Sequence, residues 1–176
     1  MKYSKQINTK ILNNLSKKTS FLGHAKMKKG GFLLKLKEIM TEEVIVVSPD
    51  TSVFDAAQLM KDKNIGAIPI CKENMNVEGI ITDRDIVLRV VCAEQDPRKI
   101  SCKEIMTDEL VVGKTDMEVE SALEMMGDVK VRRLPVVEDG RLVGFVSLGD
   151  MAVNRRYDRA SELALSDISS PSRPLM

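Results

Sequence analysis

Apolar residues recur along the middle of the chain in two rhythms. Val53, Ala56, Ala57 and Met60 stand at positions i, i+3, i+4 and i+7, the spacing of one buried helix face. Asp50-Thr51-Ser52 precede them and supply N-cap side chains. The same rhythm returns in Val119, Ala122, Leu123 and Met126. Ahead of the first helix, Val44-Ile45-Val46-Val47 is a short β-rich run closed by Pro49. Behind it, Ala67 to Cys71 and Val77 to Ile81 read as two strands around the polar turn Lys72 to Asn76. In the later stretch, Leu134 to Val137 and Leu142 to Val146 flank Glu138-Asp139-Gly140, a stronger hairpin signal. Pro69 and Pro135 suit an edge or a strand start. A second helix is predicted after Thr82 and again after Ser147.

These elements form an internal repeat. Lys37-Glu38-Ile39-Met40-Thr41 returns as Lys103-Glu104-Ile105-Met106-Thr107, an offset of 66 that also aligns Val46 with Val112, Asp50 with Asp116 and Pro69 with Pro135. One residue is lost in the loop after position 73, and Gly79, Thr82 and Asp85 then match Gly144, Ser147 and Asp150. The expected fold class is α/β (α+β): two β-α-β-β-α repeats packed with pseudo-two-fold symmetry. One unit of about 55 residues buries too little core alone, so the two sheets are expected to bury against each other and leave equivalent clefts. The expected divisions are a basic disordered arm (1–33), a first repeat (34–92), a second repeat (93–158), and a helix end with a frayed tail (159–176). Residues 166–176 in particular read as fraying.

Composition narrows the function classes. With 176 residues the chain suits one domain or two very small ones, which excludes a large multidomain enzyme. Aromatics are 3% and Trp is absent, so the core is aliphatic with help from 11 Met, and a base-stacking platform is disfavoured. Met40, Met60, Met106, Met125 and Met126 stand at core-like helical positions. The net charge of +1 conceals a split: residues 1–37 hold ten Lys and no acid, leaving 17 bases against 26 acids in the rest. The arm carries the alternative reading, a nucleic-acid-binding or scaffolding protein with no small-molecule ligand. Its lack of Arg disfavours an organellar targeting peptide, and a start at Met27 would leave only a short basic lead. Cys71, Cys92 and Cys102 form no CxxC pattern and read as free thiols of a cytoplasmic protein. No apolar run approaches the length of a membrane span.

Catalytic chemistry is poorly served. The single histidine is His24, in the arm, so the body has no histidine base and no histidine metal set. No enzyme activity, catalytic residue or metal site is expected. The repeated candidates are Thr82-Asp83-Arg84-Asp85 and Ser147-Leu148-Gly149-Asp150, each a hydroxyl followed by an acid where a strand meets a helix. That spacing is a helix capping box. It also leaves a helix N-terminus facing outward, where a phosphate binds well, with an acid able to accept hydrogen bonds from a vicinal diol.

Taken as a set, KEIMT, SPDTSVFDAAQLM, GAIPI, GIITDRD and VRRLPVVEDGRLVGFVSLGD resemble a tandem CBS-domain pair, the Bateman module, over about residues 34–153. The resemblance implies a regulatory module that binds AMP, ADP, ATP or S-adenosylmethionine between its repeats, requires no cofactor, and signals in trans to a partner protein. It also implies a disc-shaped homodimer. Phosphate and ribose contacts then fall to Thr82 and Asp85, and to Ser147 and Asp150. Adenine contacts fall to Val44, Ala67, Ile68 and Pro69, then to Leu110, Arg133, Leu134 and Pro135. The two sites are expected to differ: Asp83-Arg84 stands opposite Leu148-Gly149, and Arg132-Arg133 replaces Gly66-Ala67 as a phosphate clamp. Arg84 and Arg98 are weaker candidates.

Overall fold

The structure, a computed structural model, describes residues 34–153 and 157–170. The basic arm with His24 lies outside them. Helix α1 (Val53–Lys63) starts where Ser52 accepts a hydrogen bond from the Asp55 amide at 3.1 Å, and it buries Val53, Ala56 and Met60. It stops at Asn64, which takes the left-handed conformation at φ 52°. Strands β1 (Ala67–Lys72) and β2 (Asn76–Thr82) form the first antiparallel hairpin. Helix α2 (Asp83–Ile86) then runs into a π-helical turn, Val87–Val91.

The second half repeats this plan. It comprises α3 (Cys102–Ile105), β3 (Gly113–Lys114), α4 (Val119–Val129), β4 (Arg133–Glu138), β5 (Arg141–Ser147) and α5 (Leu148–Ala152). Helix α4 ends at Lys130, left-handed at φ 57°, in the place Asn64 holds in the first half. Both hairpins carry a bulge at the matching point, between Ile70 and Cys71 and between Val136 and Val137. A further helix, α6 (Asp158–Ser169), packs on α4 with Ala164 against Gly127. It is therefore helical well into the stretch read as fraying; residues 171–176 of that stretch are outside the description.

Two expectations need correction. Val44 to Val47 is not a strand: only Val47 pairs, with Ile70. Its counterpart is β3, which is two residues long and pairs with β4 through Gly113 and Val136. The sheets of the two halves are also not separate. They join edge to edge in one sheet of order β1-β2-β5-β4-β3, through the single pair Asn76 and Arg141. Each half keeps its own aliphatic core.

The halves are locked by exchanging their leading segments. Leu36 is fully buried in the core of the second half, and its amide donates to Met117 O at 2.9 Å. Cys102 and Ile105 are buried in the core of the first half, and the Cys102 amide donates to Thr51 O at 2.8 Å. Thr41 pairs with Phe145 on β5, and Thr107 pairs with Ile80 on β2. Beside these pairs, Met40 lies over Gly144 and Met106 over Gly79, where a Cβ on either glycine would overlap the thioether side chain. Glycine leaves room there for the methionine side chain of the exchanged segment to lie directly on the strand.

Candidate functional site

At the end of β2, Thr82 and Asp85 close a reciprocal cap. Thr82 Oγ1 accepts from the Asp85 amide at 3.2 Å and donates to Asp85 Oδ2 at 2.6 Å, and the Thr82 amide donates to the same oxygen at 2.9 Å. At the end of β5, Ser147 and Asp150 repeat it, with Ser147 Oγ 2.7 Å from Asp150 Oδ2 and 3.2 Å from the Asp150 amide. The capping box read in the sequence is therefore made twice. Thr82 and Ser147 are half-buried.

The surroundings of the two caps differ. In the first half, the Asp83 amide donates to Gly66 O at 3.2 Å, and Asp83 Oδ1 accepts from the Arg84 amide. A Cβ on Gly66 would stand 2.9 Å from Asp83 Oδ2 and 3.4 Å from an Arg133 guanidinium nitrogen. Arg133 thus reaches across from the second half toward the first cap. Asp83 and Arg84 are exposed. In the second half, Leu148 replaces Asp83 and its amide donates to Arg132 O at 2.9 Å. A cleft of about 390 Å³ opens there, lined by Arg132, Arg133, Ser147, Leu148, Gly149, Ala152 and Leu165.

The structure therefore brings Arg132, Arg133 and Ser147 onto one cleft. Asp150, Leu110, Leu134 and Pro135 are not among its lining residues. Ile68 and Leu134 are fully buried and spend their side chains in the two cores, so only their backbone can meet a ligand. Ala67, Pro69 and Pro135 are buried as well, whereas Val44 and Leu110 are half-buried. Arg98 is engaged elsewhere, its guanidinium 4.0 Å from the centre of the Phe54 ring. Two residues escaped the sequence reading. Leu165, which walls the second cleft, lies on α6 just ahead of the stretch read as tail. Arg89 pairs with Asp85 Oδ1 at 3.5 Å, and its i, i+4 spacing from Asp85 was the available signal.

Burial raises the thiols of Cys71 and Cys102 to about 11, with the Asp55 charge adding to the effect at Cys102. They are poor nucleophiles at neutral pH. Among the described residues, no group of three or more His, Cys, Asp or Glu is placed to hold a metal ion. No helix among them is long and apolar enough to cross a membrane.

Comparison with known proteins agrees with this geometry. The family model for the CBS domain matches twice, at residues 36–91 and 102–154. A CBS domain-containing protein of Bacillus subtilis, YhcV, is 41% identical over 134 residues, covering 76% of this chain and 94% of its own. Hypoxic response protein 1 of Mycobacterium tuberculosis is 34% identical, covering 66% of this chain and 81% of its own. The crystal structure of Hypoxic Response Protein I with two coordinated zinc ions superposes with a TM-score of 0.64 at 32% identity, over 69% of this chain and 98% of that one. The CBS domain pair of protein MJ0100, solved in complex with 5′-methylthioadenosine and S-adenosylmethionine, gives 0.63 at 28% identity, over 69% and 95%.

Proposed function

The chain belongs to the CBS-domain family, and from that premise we propose that it is a stand-alone, non-catalytic sensor of an adenosyl ligand. The duplicated hydroxyl-acid cap carries the reading. At each cap a helix N-terminus and its hydroxyl would meet a phosphate, and the neighbouring carboxylate would accept from the ribose diol. Adenine would lie against Val44 and the backbone of Ala67, Ile68 and Pro69 in the first half. In the second half it would lie against Leu110 and the backbone of Arg133, Leu134 and Pro135. Arg132 and Arg133 would receive phosphate oxygens. The MJ0100 pair, which holds two adenosyl compounds, supports this ligand class. AMP, ADP, ATP and S-adenosylmethionine are the candidates, and no cofactor is required.

The output would pass in trans to a partner protein, through differential affinity of the ligand for two arrangements of the pair. Val87, Leu88 and Val91 on the turn after α2 are 51%, 52% and 64% exposed, an apolar face suited to a second copy in a homodimer. Free buried thiols suit a cytoplasmic protein.

Isothermal titration of the full chain with the four compounds tests the reading. Micromolar binding is expected for at least one, with the stoichiometry giving the number of clefts filled. Asp85→Ala or Asp150→Ala, at the filled cleft, is expected to weaken binding about 10- to 100-fold through loss of charge-assisted hydrogen bonds. Absence of binding by all four compounds at millimolar concentration would overturn it.

A further inference from the structure

Arg89 joins the first cap to the segment that crosses into the second half. It sits on the π-helical turn Val87–Val91, which follows α2 directly. One guanidinium nitrogen donates to Ile105 O at 2.5 Å and Met106 O at 3.1 Å. The other lies 3.5 Å from both Thr107 Oγ1 and Asp85 Oδ1. The carbonyls it takes are those at the C-terminal end of α3, which lack helix partners and suit a fixed cation. The chain after them leaves one core for the other: Ile105 is buried in the first, and Val111 packs on the second. The two oxygens of Asp85 thus have separate jobs. Oδ2 closes the cap with Thr82, while Oδ1 meets Arg89.

We propose that Arg89 is a positioning residue that ties the acid of the first cap to this crossing segment, so that whatever engages Asp85 is felt in the second half. The matching place in the second repeat holds Asn154, a short neutral side chain with no guanidinium fork. The part of the proposal that concerns ligand rests on the adenosyl reading above; the tie itself does not.

Amide hydrogen exchange in the full chain tests the tie without ligand. The reporters are the Thr107 amide, which donates to Ile80 O at 2.9 Å, and the Ile80 amide, which donates to Thr107 O at 3.0 Å. Arg89→Ala is expected to speed exchange at both about tenfold, and Arg89→Lys to restore part of the protection. Asp85→Asn keeps an acceptor for the cap but loses the charge, and is expected to speed exchange at Thr107 about threefold. In the Arg89→Ala background the same change is expected to add nothing, because the path from Asp85 is already cut. Should Arg89→Ala fail to fold, Arg89→Gln replaces it in the same cycle. Unchanged exchange at Thr107, or additive effects of the two substitutions, would overturn the tie. With AMP present, a change in Thr107 exchange is expected in the wild type and not in Arg89→Ala; a change of equal size in both would overturn the coupling. A wild-type chain that binds no AMP, ADP, ATP or S-adenosylmethionine would overturn the adenosyl reading instead, while the ligand-free cycle still decides the tie.

Discussion

Hydroxyl and acid at Thr82 and Asp85, and at Ser147 and Asp150, were legible from spacing alone, because a capping box is a local arrangement closed within one turn. The methionines were only partly legible. Met60 and Met126 are buried on α1 and α4, as their helical spacing implied. Met40 and Met106 serve no helix face; they lie in the exchanged segments and cover Gly144 and Gly79. Helical periodicity says nothing about a side chain that reaches another element. The turn between β1 and β2 carries a residue-scale cost. Asn74 and Met75 stand at φ 64° and 61°, whereas the matching turn uses Asp139 and Gly140 at φ 49° and 80°. Asn and Asp tolerate the left-handed region at less cost than Met. Met75→Gly is therefore expected to stabilise the chain by about 1 kcal/mol, read as a higher urea midpoint with an unchanged slope. A lower midpoint would show that the Met75 side chain contributes more than its backbone strain costs.

Among elements, hairpins and long helices followed from the sequence, since each strand pair and each helix face is written in contiguous residues. Val44 to Val47 had the composition of a strand but lacked a partner along most of its length, and pairing decides a strand. Helix α3 escaped notice because it is short. It is held by Ser101, whose amide and hydroxyl donate to Glu104 Oε1 at 2.9 and 2.8 Å. Those hydrogen bonds, the backbone one first, lower the Glu104 carboxyl below its ordinary value of 4.5. A depressed folded pKa adds stability above the unfolded value and loses it as the pH falls through the folded one. Glu104→Gln is accordingly expected to lower the urea midpoint at pH 7, and the difference from wild type is expected to vanish in acid. A gap that persists below the folded pKa would mean the side chain acts by shape and not by charge.

For the whole molecule, the exposed face of Val87, Leu88 and Val91 gives the last expectation. Val91→Asp places a charge in a contact that a second copy would desolvate, so sedimentation is expected to change from dimer to monomer. A wild type that sediments as a monomer at tens of micromolar would remove the dimer, while leaving the clefts intact. Repetition of the chain determined much by itself: two similar units, their helices and hairpins, their twin caps, and the family to which they belong. Each of these depends on contacts within a few residues or on the comparison of one segment with its copy. Only the tertiary structure decided that Leu36 enters the second core and Cys102 the first. The two leading segments share Lys-Glu-Ile-Met-Thr, and the strands that receive them share an apolar pattern around Gly79 and Gly144. Pairing within a repeat and pairing across repeats would make similar local contacts, and the choice depends on chain reach and on packing around both cores. The same folding decision set Arg89 against Ile105 and Met106, Arg133 beside Gly66, and Leu165 on the wall of the second cleft. Those contacts join residues far apart in the chain, and no periodicity encodes them.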